Sequence, residues 1–253
     1  MKQLNEKVAI VTGAGQGIGK GIALCLAKRG VKIVATGRRL EPIEQTIAEI
    51  KELGGDGFAM SCDSADRAKV EEVVKETVDT YGTVDVVVNN AQAIVPSAPV
   101  EETTYENMLK AWESGVIGSL NYMQAAFPYM KEQHEGRIIN FASATGMFGI
   151  AGQLAYGSNK EALRGLTKIA AKEWGQYGIC VNIVLPGAES PAAKAWAAKF
   201  PEEYAKQVNL NLMKRFGDPE KDIAPVIAFL AGPDSCYYSG QSVIVDGANS
   251  IMP

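Results

Sequence analysis

A tyrosine and a lysine, Tyr156 and Lys160, stand four residues apart in a segment with a helical pattern. Residues at this spacing lie on one face of a helix, so the phenol and the ammonium are neighbours. A free phenol has a pKa of about 10, and a nearby ammonium favours the phenolate. Tyr156 is therefore a candidate to take a proton from an alcohol or to give one to a ketone.

Ser143 precedes Tyr156 by thirteen residues and directly follows a predicted strand. Its hydroxyl is a candidate hydrogen-bond donor that stabilises charge on a substrate oxygen. Tyrosine and lysine are common enough to meet at this spacing by chance, so the position of Ser143 matters. It lies at the strand edge where ligands of such folds bind, which favours a catalytic group of Ser143, Tyr156 and Lys160.

A glycine-rich segment follows the first predicted strand and precedes a predicted helix. It reads Thr12-Gly13-Ala14-Gly15-Gln16-Gly17-Ile18-Gly19. Glycines let the backbone approach a pyrophosphate closely, and the helix N-terminus offers N–H groups to the phosphates. A plain glycine-rich turn is the alternative, but the strand before and the helix after favour a dinucleotide site. Its predicted cofactor contacts are Gly13, Gln16, Gly17 and Ile18.

The second predicted strand ends in Thr36-Gly37-Arg38-Arg39. Dinucleotide folds that select NAD place an acidic residue about here, on the ribose hydroxyls. Gly37 stands at this position, and the two guanidinium groups that follow suit a 2'-phosphate. We therefore predict NADP(H) over NAD(H). The alternative is that Arg38 and Arg39 are solvated side chains at the start of a helix.

Further strands end in polar residues at the same predicted edge. Asp63, with Ser64 beside it, ends the third strand and is placed to meet the adenine. Asn90, within Asn89-Asn90-Ala91, ends the fourth strand and can bridge the cofactor and the neighbouring strand. Each of these residues alone is also consistent with an ordinary strand-end cap.

Seven short apolar runs alternate with longer segments of helical pattern. The runs are rich in Val and Ile and mostly lack in/out alternation, which indicates strands buried on both faces of a parallel sheet. Repeated strand–helix–strand units predict an α/β, Rossmann-type doubly wound sheet with helices on both faces. The predicted strands are 8–11, 31–35, 58–62, 84–88, 137–141, 179–185 and 242–245, and the predicted helices are 17–29, 41–53, 66–81, 103–132, 153–174 and 218–230.

No linker or composition shift divides residues 1–253, which we interpret as one dinucleotide-binding catalytic domain. Residues 188–216 are the exception, because a mostly helical insertion stands where the pattern predicts a short loop. An insertion after the carboxyl end of a strand is a common substrate lid.

Composition excludes several classes of protein. Lys and Arg number 25 and Asp and Glu 29, so the net charge of -4 argues against nucleic acid as a partner. The single histidine, His134, excludes a zinc site with several His ligands and argues against a Ser-His-Asp enzyme. No apolar run reaches membrane-spanning length. The cysteines are widely separated, which predicts reduced thiols in a cytoplasmic protein: Cys25, Cys62, Cys180 and Cys236.

Together these motifs resemble the short-chain dehydrogenase/reductase family, in its single-domain branch, over nearly the whole chain. Two further stretches carry the resemblance: Pro186-Gly187 and the late Gly240-Gln241 with Asp246-Gly247. The resemblance implies a seven-stranded sheet, NAD(P)(H), and homotetramers or homodimers built on the two long helices. It also implies cofactor contacts at Pro186 and Gly187, and that Lys160 holds the ribose hydroxyls.

The departures from the family pattern are informative. The usual Asn-Asn-Ala-Gly ends in Gln92, and the long helix has Gly115 where the family has an asparagine that holds a proton-relaying water. Ser114 or a water is the candidate replacement in that relay. After Pro186-Gly187 the family usually has a threonine near the nicotinamide carboxamide, and Ser190 is its stand-in here. Gln92 and Gly115 together are similar to bacterial NADP-dependent 12α-hydroxysteroid dehydrogenases.

The residues expected around the substrate are mostly apolar, which suits a lipophilic carbonyl compound. They are Ile94, Val95, Thr145, Met147, Phe148 and Leu154. The insertion adds Trp196, Phe200 and Tyr204 at helical spacing, although Pro201 interrupts one continuous helix. These aromatic residues either line the pocket or pack the insertion onto the body. Gln92 either touches substrate or caps its loop.

The leading prediction is an NADP(H)-dependent alcohol dehydrogenase/carbonyl reductase, without a metal, that interconverts a secondary alcohol and a ketone. The expected partner is a small lipophilic carbonyl or alcohol, with a hydroxysteroid as candidate. One alternative is a 3-oxoacyl-thioester (acyl carrier protein) reductase, whose carrier prefers a basic patch such as Lys194, Lys199, Lys206 and Lys214. The other is a catalytically weak nucleotide-sensing protein, suggested by Gly115.

Overall fold

The computed structural model describes residues 4–189 and 191–250. Seven strands lie in one sheet: β1 (Val8–Thr12), β2 (Lys32–Gly37), β3 (Gly57–Ser61), β4 (Val86–Asn89), β5 (Gly136–Phe141), β6 (Ile179–Pro186) and β7 (Ser242–Val245). Their order is β3-β2-β1-β4-β5-β6-β7. Every neighbouring pair is parallel. The predicted doubly wound parallel sheet is confirmed, and the strand order reverses between β1 and β4.

The described helices are α1 (Gly17–Ala27), α2 (Leu40–Glu52), α3 (Arg67–Tyr81), α4 (Tyr105–Trp112), α5 (Gly118–Glu132), α6 (Ala144–Phe148), α7 (Leu154–Trp174), α8 (Pro191–Lys199), α9 (Pro201–Leu210) and α10 (Ala224–Ala231). They cover both faces of the sheet. On β1, Ala9 and Val11 pack in the core layer under α1, α2 and α10. Ile10 points to the opposite layer, under α3, α5 and α7. Val- and Ile-rich strands suit this two-sided burial, which explains why they lack an in/out alternation.

The predicted helix over 103–132 is interrupted. A π turn over Glu113–Ile117 separates α4 from α5. At this turn the backbone N–H of Val116 donates to Oδ1 of Asn159, on α7, at 3.1 Å. A side chain that enters the hydrogen-bond ladder is a recognised cause of such irregularities. The sequence pattern could not show this, because the group that enters comes from another helix.

The predicted helical insertion is present as α8 and α9, and Pro201 begins α9. Its two ends are joined. Ala188 and Gly217 form an isolated parallel bridge. Glu189 N donates to Gly217 O and Gly217 N donates to Gly187 O, both at 2.9 Å. The insertion therefore leaves and rejoins the body at nearly the same place.

Three observations concern the described residues alone. None of the described helices combines the length and the apolar character needed to cross a bilayer. Within 4–189 and 191–250, no three His, Cys, Asp or Glu side chains are grouped as a metal ion would require. All four cysteines are free thiols, and Cys236 alone among them is exposed.

Candidate active site

The hydroxyl of Thr12 joins the ends of β1 and β4, where the strand order reverses. It accepts hydrogen bonds from the backbone N–H groups of Asn90 and Ala91, at 3.0 and 2.9 Å, and donates to Val88 O at 3.2 Å. The Asn90 side chain donates to Thr12 O at 2.9 Å. Asn90 thus lies where the sequence predicts, but its amide holds the two strand ends together.

The glycine-rich loop packs directly on the first turn of α1. Gly13 adopts a left-handed φ of 66°, and a Cβ at Gly19 would lie 2.3 Å from Gly13 O. Only glycine allows this approach, because any side chain would separate the loop from the helix. Gln16 precedes α1 without forming a side-chain cap, so the first-turn N–H groups receive no cap from it. Gly17 and Ile18 form that first turn.

A cleft of about 630 Å³ runs along this edge of the sheet. It brings together most of the predicted residues of the nucleotide site: Gly13, Gln16, Arg38, Arg39, Asp63 and Ser64. Gly37 also lines it, so no carboxylate stands at the end of β2. An N-terminus without a side-chain cap and two exposed guanidinium groups suit phosphate groups. The cleft therefore fits a phosphorylated dinucleotide.

Two residues that the motif analysis did not single out hold the loop of Asp63 and Ser64, where the sequence predicts the adenine. Asn121 donates to Ser64 O at 2.9 Å. A Cβ at Gly118 would lie 2.7 Å from Cβ of Ser64, so α5 presses closely against this loop. Asp63 is exposed, and its carboxylate accepts from Ala65 N at 3.1 Å. No local sequence signal connects these residues, because they lie far apart in the chain.

The structure brings together the three predicted catalytic residues. Ser143 lies just beyond β5, and its Oγ accepts from Thr145 N at 3.2 Å as the cap of α6. Ser143 lies close enough to Tyr156 for its side chain to lower the pKa of the phenol. Lys160, one turn further along α7, is buried; its Nζ donates to Phe141 O at 2.8 Å and lies 5.6 Å from the centre of the Tyr156 ring.

Burial dominates the ionisation of this group. Burial raises the pKa of Tyr156 above its usual value, and the side chain of Ser143 acts in the opposite direction. Burial also lowers the pKa of Lys160 to about 7. The expectation of a phenolate depends on Lys160 together with the positive nicotinamide of an oxidised cofactor, so it stays a prediction for the complex. In the free protein at neutral pH Tyr156 is a phenol, which is an acid ready to donate its proton.

The end of β6 lies next to the start of the insertion. Pro186 closes the strand, and Gly187 N donates to Val245 O at 2.8 Å. Gly187 lines a second cavity of about 380 Å³, with Met213 and Asp246 among its neighbours. The predicted nicotinamide contact Ser190 lies outside the described residues.

The residues that were predicted to form one apolar pocket lie in three different environments. Thr145 and Leu154 line a cavity of about 780 Å³ together with Trp112 and Ile150. Met147 packs on a small core cluster, whereas Ile94 and Phe148 are exposed.

Two of the three aromatic residues of the insertion can be placed. Tyr204 donates to Oε1 of Glu189 at 2.7 Å, and its ring lies 5.7 Å from that of Phe216. Both partners belong to the insertion, so these contacts hold the insertion together, and the choice between the two interpretations stays a prediction. Phe200 is 41% exposed, and the side chain of Trp196 lies outside the described part of the chain.

Comparison with known proteins identifies the class. Residues 13–248 match a family model described as enoyl-(acyl carrier protein) reductase. A 12alpha-hydroxysteroid dehydrogenase from Clostridium sp. is 37% identical, over 98% of this chain and 98% of its own. A 3-oxoacyl-[acyl-carrier-protein] reductase from Thermotoga maritima is 35% identical, over 97% and 98%. The chain belongs to the short-chain dehydrogenase/reductase family.

Solved structures agree with this assignment. Levodione reductase superposes with a TM-score of 0.90 at 29% identity, over 96% of this chain and 97% of its own. NAD+-bound xylitol dehydrogenase superposes with a TM-score of 0.91 at 31% identity, over 98% and 100%. The protein is thus an oxidoreductase of a family that uses nicotinamide dinucleotides.

Proposed function

We propose that the protein is an NADP(H)-dependent oxidoreductase that interconverts a secondary alcohol and a ketone on a lipophilic substrate, with a hydroxysteroid as the candidate. The observation that carries this proposal is the grouping of Ser143, Tyr156 and Lys160 at the strand edge that also forms the dinucleotide cleft. A proton donor and a hydrogen-bond donor beside a nicotinamide are what carbonyl reduction needs.

In this reaction NADP(H) supplies or accepts the hydride when it is bound. Tyr156 donates the proton of its hydroxyl to the ketone oxygen, and in the reverse direction takes the proton of the alcohol. Ser143 donates a hydrogen bond to the same oxygen and stabilises the charge that develops there. Lys160 holds the ribose hydroxyls, and its contact with Phe141 O fixes its Nζ.

The preference for NADP(H) is supported by the end of β2. Arg38 and Arg39 are exposed and line the cleft beside Gly37. The hydroxyl of Ser61 donates to Arg38 O at 3.0 Å, which anchors this backbone without using the guanidinium. A charge-assisted hydrogen bond to a phosphate contributes about 1.5–3 kcal/mol, enough to separate the two cofactors by more than tenfold.

Replacing Arg38 with alanine is expected to raise the Kd for NADPH by about tenfold to a hundredfold, because a charge-assisted contact with the 2'-phosphate is lost. The Kd for NADH, which lacks that phosphate, is expected to change less than threefold. Fluorescence titration of each cofactor measures both values. Arg67→Ala, at an exposed arginine that does not line the cleft, is the matched control. Equal losses for NADPH and NADH would contradict the proposed selectivity.

The substrate class is supported by the 37% identity with a hydroxysteroid dehydrogenase. The runner-up is reduction of a 3-oxoacyl thioester on a carrier protein, since a reductase of that kind is 35% identical. A carrier needs free positive charge near the site. Among the lysines of the insertion, Lys194 pairs with Glu189 at 3.3 Å and Lys214 donates to Asn209 O. The Glu189 carboxylate offsets the charge of Lys194, whereas Lys214 keeps its full charge when it donates to a carbonyl. The lysines therefore do not decide between the two substrate classes, and the small lipophilic substrate rests on the relative.

The test is oxidation of NADPH, beside NADH, with ketosteroids, small aryl ketones and a 3-oxoacyl thioester. NADPH-selective turnover of a ketosteroid is the expected result. Turnover of the thioester alone would replace it with the runner-up. Binding of NADPH without turnover of any compound would instead favour the nucleotide-sensing alternative.

We further propose a homodimer or homotetramer. Exposed apolar side chains on α4 and α7 support it: Tyr105, Leu109, Trp112 and Ile169. Light scattering after gel filtration tests the assembly. A cytoplasmic location is a separate proposal, supported by the free thiols at four separated positions and testable by cell fractionation.

A further inference from the structure

Asn159 occupies the space that a side chain at position 115 would need. A Cβ built on Gly115 would lie 2.3 Å from Oδ1, 2.4 Å from Nδ2 and 2.7 Å from Cγ of Asn159. Asn159 is completely buried, and its two polar ends are both engaged. Its Oδ1 accepts from Val116 N at 3.1 Å, and its Nδ2 donates to Oε1 of Gln92 at 2.8 Å.

The side-chain amide of Gln92 is also hydrogen-bonded within the protein. Its Nε2 donates to Oγ of Ser114 at 3.0 Å and to Ala111 O at 3.2 Å. Both ends of its amide are thus used inside the protein, so Gln92 holds its loop and does not need a substrate as partner. The departures Gln92 and Gly115, which are far apart in sequence, meet at one residue, Asn159.

Ser114 is excluded as the proton relay by its own contacts. Its Oγ donates to Lys110 O at 2.7 Å and accepts from Gln92 Nε2 and from Ala93 N at 3.0 and 3.1 Å. A hydroxyl has one hydrogen to donate and two lone pairs to accept with. All of these are used, so Ser114 has no capacity left for Lys160.

We propose that Asn159, on α7, is a positioning residue that fills the space of the family's helix asparagine without the water-holding role of that residue. It holds the π turn through Val116 and the loop after β4 through Gln92. Because it precedes Lys160 and lies one turn after Tyr156, it fixes these two residues relative to the cofactor cleft. Gly115, Gln92 and Asn159 therefore form one coupled set. The expected effect on the reaction rate rests on the proposed function. The statement that Asn159 fills the space beside Gly115 does not.

The coupling is tested with four variants. The single variants Gly115→Ala and Gly115→Asn each place a Cβ against the Asn159 amide. The double variant Gly115→Ala/Asn159→Ser removes that clash. The double variant Gly115→Asn/Asn159→Ser moves the amide from α7 to the long helix. Gly165→Ala is the matched control, because a Cβ at this helical position of α7 meets nothing within 4 Å. Unfolding temperature, NADPH Kd and kcat per NADPH-binding site are measured for each.

We expect Gly115→Ala and Gly115→Asn to lower Tm by about 5 °C or more. Their kcat is expected to fall at least tenfold, since small displacements of positioned groups are costly. Gly115→Ala/Asn159→Ser should recover Tm but not kcat. Gly115→Asn/Asn159→Ser should recover both, with kcat within about threefold of wild type, a rescue that packing alone would not give. Gly165→Ala should keep the wild-type kcat and NADPH Kd, with a Tm equal to or above that of wild type, because alanine favours a helix more than glycine does.

Two results would overturn the proposal. One is a Gly115→Ala protein with the Tm and NADPH Kd of Gly165→Ala, which would show that Asn159 does not fill this space. The other is a Gly115→Asn/Asn159→Ser protein with wild-type Tm but a kcat no higher than that of Gly115→Ala/Asn159→Ser. If wild type reduces none of the ketones, the proposed function fails separately, and the NADPH Kd replaces kcat as the readout for Lys160.

Discussion

Replacement of Tyr156 with phenylalanine is expected to lower kcat for ketone reduction by about 10²–10⁴-fold, the usual contribution of a general acid. The ring and its packing remain, so the Kd for NADPH should stay within about threefold of wild type. The expected loss of kcat arises from the missing hydroxyl alone. Burial raises the pKa of Tyr156, and the residue therefore carries its proton throughout the neutral range. Steady-state kinetics with a ketosteroid and NADPH measure the loss.

The matched control is Tyr237→Phe, which removes the same hydroxyl from a fully exposed side chain. It should keep wild-type kcat. A Tyr156→Phe enzyme that retains more than about a tenth of the activity would mean that another group donates the proton. The pH dependence gives a second check. Reduction needs the phenol and alcohol oxidation needs the phenolate, so the rate of oxidation should rise with pH relative to the rate of reduction.

Replacement of Lys160 with methionine is expected to stop turnover and to stabilise the free protein at neutral pH. Burial lowers the pKa of Lys160 from 10.5 to about 7, a difference that corresponds to roughly 5 kcal/mol. Methionine avoids this cost but leaves Phe141 O without its donor, which costs about 1–3 kcal/mol. The net gain of about 2–4 kcal/mol should raise Tm by roughly 4–16 °C.

The effect of Lys160→Met on stability should also depend on pH. Unfolded lysine keeps its proton up to about pH 10.5, whereas folded Lys160 releases it above about pH 7. The unfolded state therefore binds more protons between these values, so the stability of wild type rises with pH across this window. The advantage of Lys160→Met is greatest below pH 7 and shrinks toward pH 10.5.

Thermal melts of the cofactor-free protein from pH 6 to 10 measure this dependence. Lys168→Met, at an exposed position of the same helix, is the control and should show neither the gain nor the slope. A Lys160→Met protein that is less stable than wild type at pH 6 would contradict the assignment of burial as the dominant influence on this lysine.

The sequence predicts the elements that depend on short-range sequence patterns. The Val- and Ile-rich runs predict the strands of the sheet, and Pro201 predicts the division of the insertion into α8 and α9. Ser143, Tyr156 and Lys160 could be found because strand ends and helix faces bring such residues to one edge.

What the sequence could not predict depends on contacts between distant segments. The π turn arises because Asn159 binds Val116 across 43 positions of the chain. Burial raises the pKa of Tyr156 in the free protein, and only the folded chain reveals that burial. The roles of Gln92 and Asn90 were open for the same reason, since their amides are occupied by groups that no motif connects.

The bridge between Ala188 and Gly217 holds the two ends of the insertion side by side, so the stretch between them can vary independently of the body. Both ends are held to the body by backbone hydrogen bonds, which do not depend on the side chains inserted between them. Residues in this stretch can therefore be exchanged, lengthened or shortened without altering the register of β6 and β7. Under the proposed function, changes in this stretch would alter the substrate side of the site, while Ser143, Tyr156 and Lys160 lie on other elements.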